Sequence, residues 1–162
     1  MRFLRNFSRI LVGLVFVFSS FSKGIDPMGF AFKIEDYFLA YGTGWAVPLA
    51  IYLSIALCTL EFLLGMALLF NLRLKHLAWP LLALMIFFTI FTFFDAVYNP
   101  VPDCGCFGDV VKITNWQTFF KNVVLVFFVT LIFADRNQYK SFLPAKREYI
   151  ALILIAGVFA VM

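Results

Sequence analysis

Four apolar runs, at residues 7–21, 46–70, 77–98 and 116–134, set the limits on what this chain can fold into. A hydrocarbon core about 30 Å thick takes roughly 20 helical residues at about 1.5 Å each. No water reaches the backbone there, so each run must satisfy its own N–H and C=O groups, which a helix does. The chain is 64% hydrophobic and 14% charged, with mean hydropathy +0.97, more apolar surface than a soluble domain can hide. The expected fold is all-α: an integral membrane protein built as an antiparallel four-helix bundle, with no segment large enough to fold alone in water.

The first run follows Arg2 and Arg5, a basic start that a signal peptide shares. Residues 22–27 (Ser-Lys-Gly-Ile-Asp-Pro) offer no small-x-small cleavage site, so the run reads as a retained helix. Residues 71–76 are too short for anything but a turn between antiparallel neighbours. A fifth apolar run begins near Tyr149 and continues to Met162. As a helix it reaches only about 21 Å, short of a full crossing, and is expected to be a truncated fifth transmembrane helix, the start of a longer chain. The domain organisation is then 1–134 for the four-helix membrane domain, 135–147 for a cytoplasmic linker and 148–162 for the beginning of the fifth helix.

The net charge of +4 and pI near 9.1 do not point to nucleic acid, because the basic residues sit between apolar runs and form no stripe. They read as topology signals. With the N-terminus in the cytoplasm, Arg2, Arg5, Arg9, Arg73, Lys75, Arg136, Lys140, Lys146 and Arg147 lie inside and Lys23, Lys33, Lys112 and Lys121 outside, the positive-inside bias. Residues 23–45 and 99–115 become outer loops, and the lipid bilayer is the first partner.

The second outer loop carries Asp103-Cys104-Gly105-Cys106-Phe107-Gly108-Asp109. Cysteines two apart can close a disulfide when the residue between bends freely, as Gly105 does. So small a ring is strained, and strain makes a disulfide labile, as thiol exchange requires. The outer side of the membrane is also where disulfides persist. Three blander readings stay open: a static disulfide that locks the turn, half of a zinc site completed by Asp103, Asp109 or another chain, and two unreactive thiols. No metal site is expected. Gly105, Asp103, Gly108 and Asp109 read as loop-shaping residues.

Lys23 ends the first run at the same face, with Ser19 and Ser22 beside it. A lysine near a thiol favours the nucleophilic thiolate, and its alternative role is an interfacial anchor. Asp95, near the outer end of the third run, either moves protons for the thiols or caps the loop. Glu61 lies deep in the second run, where a carboxyl must face the bundle interior and reads as functional, or else as an interhelical contact. Cys58 shares its face one turn away but lies too deep to join the loop pair, and reads as a small buried residue.

Together these motifs resemble the DoxX-like superfamily and, within it, the MauE (methylamine utilisation) branch found in Bacteroidetes. The resemblance covers the first four helices. It rests on Gly13 with Ser19 to Asp26-Pro27, on Glu35-Asp36-Tyr37-Phe38, on Glu61-Phe62-Leu63-Leu64-Gly65, and on the cysteine loop followed by Thr114-Asn115-Trp116-Gln117-Thr118-Phe119. It implies a four-helix membrane core related to vitamin K epoxide reductase-like proteins, which pass electrons between protein thiols and a quinone. It also implies a link to maturation of a disulfide-rich periplasmic amine dehydrogenase subunit, and a further C-terminal periplasmic region in related chains. This chain departs from the reductase pattern, having Cys-x-Cys and a lone Cys58 where those enzymes use Cys-x-x-Cys and a second pair.

The expected function is an inner-membrane thiol-disulfide redox protein. Cys104 and Cys106 exchange electrons with a periplasmic thiol or thioredoxin-like partner, Lys23 and Asp95 tune or protonate the thiols, and a membrane quinone is the candidate cofactor. The competing reading is a non-catalytic membrane anchor for a periplasmic domain, with a structural disulfide. A transporter using Glu61 and Asp95 lacks the paired broken helices such proteins show.

Overall fold

Residue 2 opens a helix that runs unbroken to Gly24, and four more follow it. The computed structural model describes residues 2–101, 113–139, 148, 150–155 and 157; the cysteine loop residues Asp103, Cys104, Gly105, Cys106, Gly108 and Asp109 lie outside the described residues. The helices are α1 (Arg2–Gly24), α2 (Pro27–Ala40), α3 (Ala50–Phe70), α4 (Leu74–Tyr98) and α5 (Asn115–Ala134), with 3-10 turns at Gly44–Leu49 and Arg136–Gln138. No strand occurs among the described residues. Four stretches are long and apolar enough to cross a membrane: Phe3–Gly24, Gly44–Phe70, Leu74–Tyr98 and Asn115–Ala134. The described residues from 148 onward are also helical.

The sequence reading of 23–45 as an outer loop missed α2. Its start is specified locally: Asp26 accepts from Gly29 N at 2.9 Å and Pro27 occupies the first turn, where its missing N–H costs nothing. Phe30, Ala31 and Tyr37 are buried, and the helix packs against α3. Mixed charge over the segment masks this face, which is held by contact with α3 more than by its own periodicity.

The turn between α3 and α4 uses two left-handed residues, Asn71 (φ 56°) and Arg73 (φ 45°). α5 begins in a capping box, with Thr114 N donating to Gln117 Oε1 at 3.0 Å and Gln117 N to Thr114 Oγ1 at 3.3 Å.

α1 packs chiefly on α3, and α4 on α5, with α1 also touching α5. Val12, Phe16, Leu64, Leu68, Leu81, Met85, Leu125, Val129 and Ile132 form the joint core. The α1–α3 contact is close because glycines line it. A Cβ on Gly13 would meet Leu69 Cδ2 at 2.9 Å, and one on Gly65 would meet Val17 Cγ2 at 2.9 Å, the small-residue packing that replaces hydrophobic drive inside lipid. By contrast α3 and α4, though consecutive, hardly touch, and a cavity occupies the space between them.

Candidate functional site

The α1–α3 register that seats Val17 against Gly65 brings the next turns of the two helices together at Ser19, Lys23 and Glu61. Lys23 Nζ stands 2.6 Å from Glu61 Oε2, with the side chains 4% and 8% exposed. Ser19 Oγ donates to the same oxygen at 3.1 Å. The ammonium also lies 4.8 Å from the centroid of the Phe30 ring on α2, a cation–π contact. Sequence reasoning gives Glu61 a functional or interhelical role, and gives Lys23 a role either toward the loop thiols or as an interfacial anchor. The structure joins the two residues in one buried ion pair.

The pair lines a cavity of about 450 Å³, whose walls come from all five helices. Phe16, Phe30, Phe38, Phe87, Phe88, Phe91 and Leu57 make it largely apolar, and Lys33 and Lys121 also reach it. Asn122 Nδ2 of α5 donates to Thr92 Oγ1 of α4 at 3.2 Å, and both line the same space. Leu53 of α3 and Phe87 of α4 line it too while remaining 40% and 58% exposed, as does Tyr41 just past α2 at 49%, so the edge of the cavity is open along the flank where α3 and α4 hardly touch and again at the end of α2.

Asp95 lies one helical turn beyond Thr92 and is fully buried. The Tyr37 hydroxyl faces its carboxyl, and among the described residues neither carboxyl oxygen closes a hydrogen bond of ordinary geometry. Tyr41, outside the spanning segments, feels it: burial first, and then the charge of Asp95, raise the Tyr41 phenol above its ordinary value. Buried carboxyl oxygens without a bond of that kind are rare and call for a role.

The cysteine loop springs from this end of the molecule. Its near stub, Val101, is buried against Tyr37 and Phe91. Asn115, just past the loop, donates through Nδ2 to Asn99 Oδ1 at 2.8 Å and to Val101 O at 2.9 Å. One side chain thus ties the two sides of the loop base together, beside the tyrosine that lines the cavity. Cys58 is 2% exposed and packs with Phe30, Ile34, Leu57 and Phe62. Ser54, a turn earlier, donates to Pro27 O at 2.9 Å and fixes the start of α2 on α3.

At the opposite end, Arg5 Nη1 donates to Gln138 Oε1 at 2.7 Å and the Tyr139 hydroxyl donates to Arg5 O at 3.3 Å. The arrangement keeps the basic ends of α1 and α5 together, away from Asp95 and the loop base.

Thr92 and Asn122 were not singled out from sequence, and Tyr37 and Asn115 figure there only within the motifs that carry the family resemblance, without a role of their own. Asn122 carried a usable signal, since an amide in the middle of an apolar run is subject to the same rule as Glu61. The role of Tyr37 could not be read, because it depends on α2 packing against α3.

A family model described as methylamine utilisation protein MauE matches residues 1–134. The chain is 29% identical over 129 residues to Protein TlpB of Flavobacterium psychrophilum, an alignment covering 77% of this chain and 35% of that protein. The chain therefore spans about a third of the length of that relative. No solved structure matches it.

Proposed function

This chain belongs to the MauE family, and on that footing we propose that it is a thiol-disulfide redox protein of the bacterial inner membrane. In this reading α1, α3, α4 and α5 form an antiparallel four-helix bundle of the DoxX-like kind, as in Bacteroidetes members of the branch. The N-terminus is cytoplasmic, residues 135–147 are a cytoplasmic linker, and residues from 148 begin a fifth span. The distribution of Lys and Arg supports that orientation, as does the gathering of Arg5 and Gln138 at the end away from the loop base.

Cys104 and Cys106 are the exchanging pair, on the periplasmic side. A thiolate of the partner attacks Cys104 Sγ in the loop disulfide and displaces the Cys106 thiolate, giving a mixed disulfide. The partner's second thiolate then attacks its own bridged sulfur, so the partner leaves oxidised and Cys104 and Cys106 remain reduced. Restoring the loop disulfide removes two electrons and two protons. In this reading Asp95, which is buried with the Tyr37 hydroxyl toward its carboxyl, takes a proton from this end.

The cavity suits a quinone: its lining is mostly aromatic and aliphatic, with hydrogen-bonding groups contributed by α1, α3, α4 and α5. Lys23, Glu61 and Asn122 would hold its polar ring, while Phe87, Phe88 and Phe91 would surround its apolar part. Bound there, a quinone would supply an acceptor for two electrons and two protons.

The observation that carries the proposal is the loop base. Val101 and Asn115 hold the ends of the Cys104–Cys106 segment against Tyr37, a residue of the cavity wall. The test is the midpoint potential of the pair, read by thiol labelling of the purified protein in graded glutathione buffers. A midpoint between about −100 and about −250 mV is expected for an exchange catalyst, and reduced Cys106→Ser offered the partner in its disulfide form, the reverse of the step above, should hold it in a mixed disulfide on Cys104, since no second loop thiol is there to release it. A pair that stays oxidised below about −300 mV, or that never forms, ends the proposal and leaves the non-catalytic anchor with a structural disulfide.

A further inference from the structure

The residues of α3 that α1 and α2 touch fix the depth at which the chain passes from one helix to the other. The spanning stretch Gly44–Phe70 is 27 residues long, and Ser54, Cys58 and Glu61 fall in its middle third. Lys23 meets Glu61, Ser54 Oγ donates to Pro27 O at 2.9 Å, and Phe30 packs on Cys58. The break between α1 and α2 therefore lies level with the middle of the α3 span and not at its end. Further along α2, the Tyr37 ring meets Phe91 with centroids 5.0 Å apart, in the last third of Leu74–Tyr98. Trp45, 79% exposed just beyond α2, has the place of an aromatic-belt residue at the membrane surface. α2 thus climbs from mid-span to the end of the bundle that carries the loop base.

We infer that α1 and α2 make one discontinuous membrane span, and that the first half of α2 is seated among acyl chains, with Ile25, Met28 and Phe32 against the lipid. Backbone at that depth has no water to bond, so a break is tolerated only where the protein supplies the partners. Here Ile25 N donates to Phe21 O at 3.1 Å and Phe30 N to Asp26 O at 3.3 Å, and Gly29 N donates to the Asp26 carboxylate. Pro27 has no N–H to satisfy, and its carbonyl takes the Ser54 hydroxyl. The two faces of α2 agree with this seat. Phe30, Lys33, Ile34, Tyr37 and Phe38 line the cavity at helical spacing, while Met28 and Phe32, on the opposite face, are 52% and 54% exposed. With Ile25 they continue the exposed stripe of Phe18 and Phe21, so the lipid-facing surface of α1 runs on into α2. The charged groups sort accordingly. Lys23 is turned onto Glu61 and Lys33 toward the cavity, and Glu35 and Asp36 belong to the half of α2 nearer the aromatic belt. Asp26 is the exception, an exposed carboxylate beside Ile25, and local thinning of the bilayer brings water to it.

The test places a nitroxide on single added cysteines of the Cys104→Ser/Cys106→Ser chain in lipid nanodiscs. It reads collision with oxygen, which concentrates in lipid, against collision with a water-soluble nickel chelate. Cys58 is buried, and the chain with no added cysteine supplies the background. At Ile25→Cys, Met28→Cys and Phe32→Cys oxygen should dominate as it does at Phe21→Cys, with nickel collision several-fold below that at Asp36→Cys. Nickel dominating at these sites would make the segment a loop outside the membrane, and low collision with both reagents would mean that a protein face covers it; either result overturns the inference. The three sites are read independently, so a variant that fails to fold leaves the others to decide. Because the tested chain has no loop thiols, these outcomes are independent of the redox titration.

Discussion

Gly65 faces Val17 across the α1–α3 contact with no room for a methyl group: a Cβ there would come within 2.9 Å of the Val17 backbone nitrogen as well as its side chain. Backbone cannot swing aside as a side-chain end can, so Gly65→Ala must push the helices apart. The expected cost is about 1 to 3 kcal/mol, as for overpacking elsewhere, measured by denaturant unfolding in micelles. Gly13→Ala, whose nearest neighbours are the Leu69 side-chain tip at 2.9 Å and Gly65 O at 3.2 Å, should cost less.

Breaking the buried ion pair one partner at a time should be far worse than removing it whole. Lys23→Met or Glu61→Leu alone leaves an uncompensated buried charge and should lose about 3 to 5 kcal/mol, whereas the double replacement should lose little or gain. A double-mutant cycle on unfolding free energy measures this, and additive single losses would refute it.

Asn115→Ala removes both bonds that tie the loop base, to Asn99 Oδ1 and to Val101 O. With a buried carbonyl left bare, the loss should be about 1 to 3 kcal/mol. It should show as faster amide exchange at Val101 and easier proteolysis near the loop, with the spanning helices unchanged.

Alkaline pH should weaken the end that holds Tyr139. Burial, opposed by the charges of Arg5 and Arg9, pushes its phenol up to about 12 from an ordinary 10.0. The folded state then holds a proton that the unfolded state has lost, so the Tyr139 contribution is complete below pH 10 and disappears as pH rises toward 12. Tyr139→Phe should flatten the fall in stability over that window, and the highest-pH component of the 295 nm absorbance titration should vanish with it.

Cys58 should resist maleimide in the folded protein and react after denaturation in detergent, since it is buried against Phe30 at 2% exposure. Labelling of Cys58 in the native state would contradict the packing of α2 on α3.

The apolar runs and Glu61 could be read from sequence because the rules behind them are local or nearly so: bilayer thickness fixes helix length, and a carboxyl in lipid must turn inward. What could not be read was who answers Glu61. Lys23 lies 38 positions away, and only the close passage of Gly13 and Gly65 decides that the two meet. α2 was hidden for a related reason, since Asp26-Pro27 announces a helix start but its buried face exists only against α3. Cys104 and Cys106 fall outside the described residues, while the base of their loop is held by Val101 against Tyr37 and by Asn115 on Val101 O.

The mouth between α3 and α4 changes the solvent against which any occupant of the cavity is weighed. Acyl chains are as apolar as leucine, so moving a greasy molecule from bilayer to cavity removes no apolar surface from water and gains nothing by the hydrophobic effect. Whatever preference the cavity shows must arise from the few polar groups on its walls. Occupancy will then follow the mole fraction of ligand in the membrane, and measured affinity will shift with lipid composition even when the protein is unchanged.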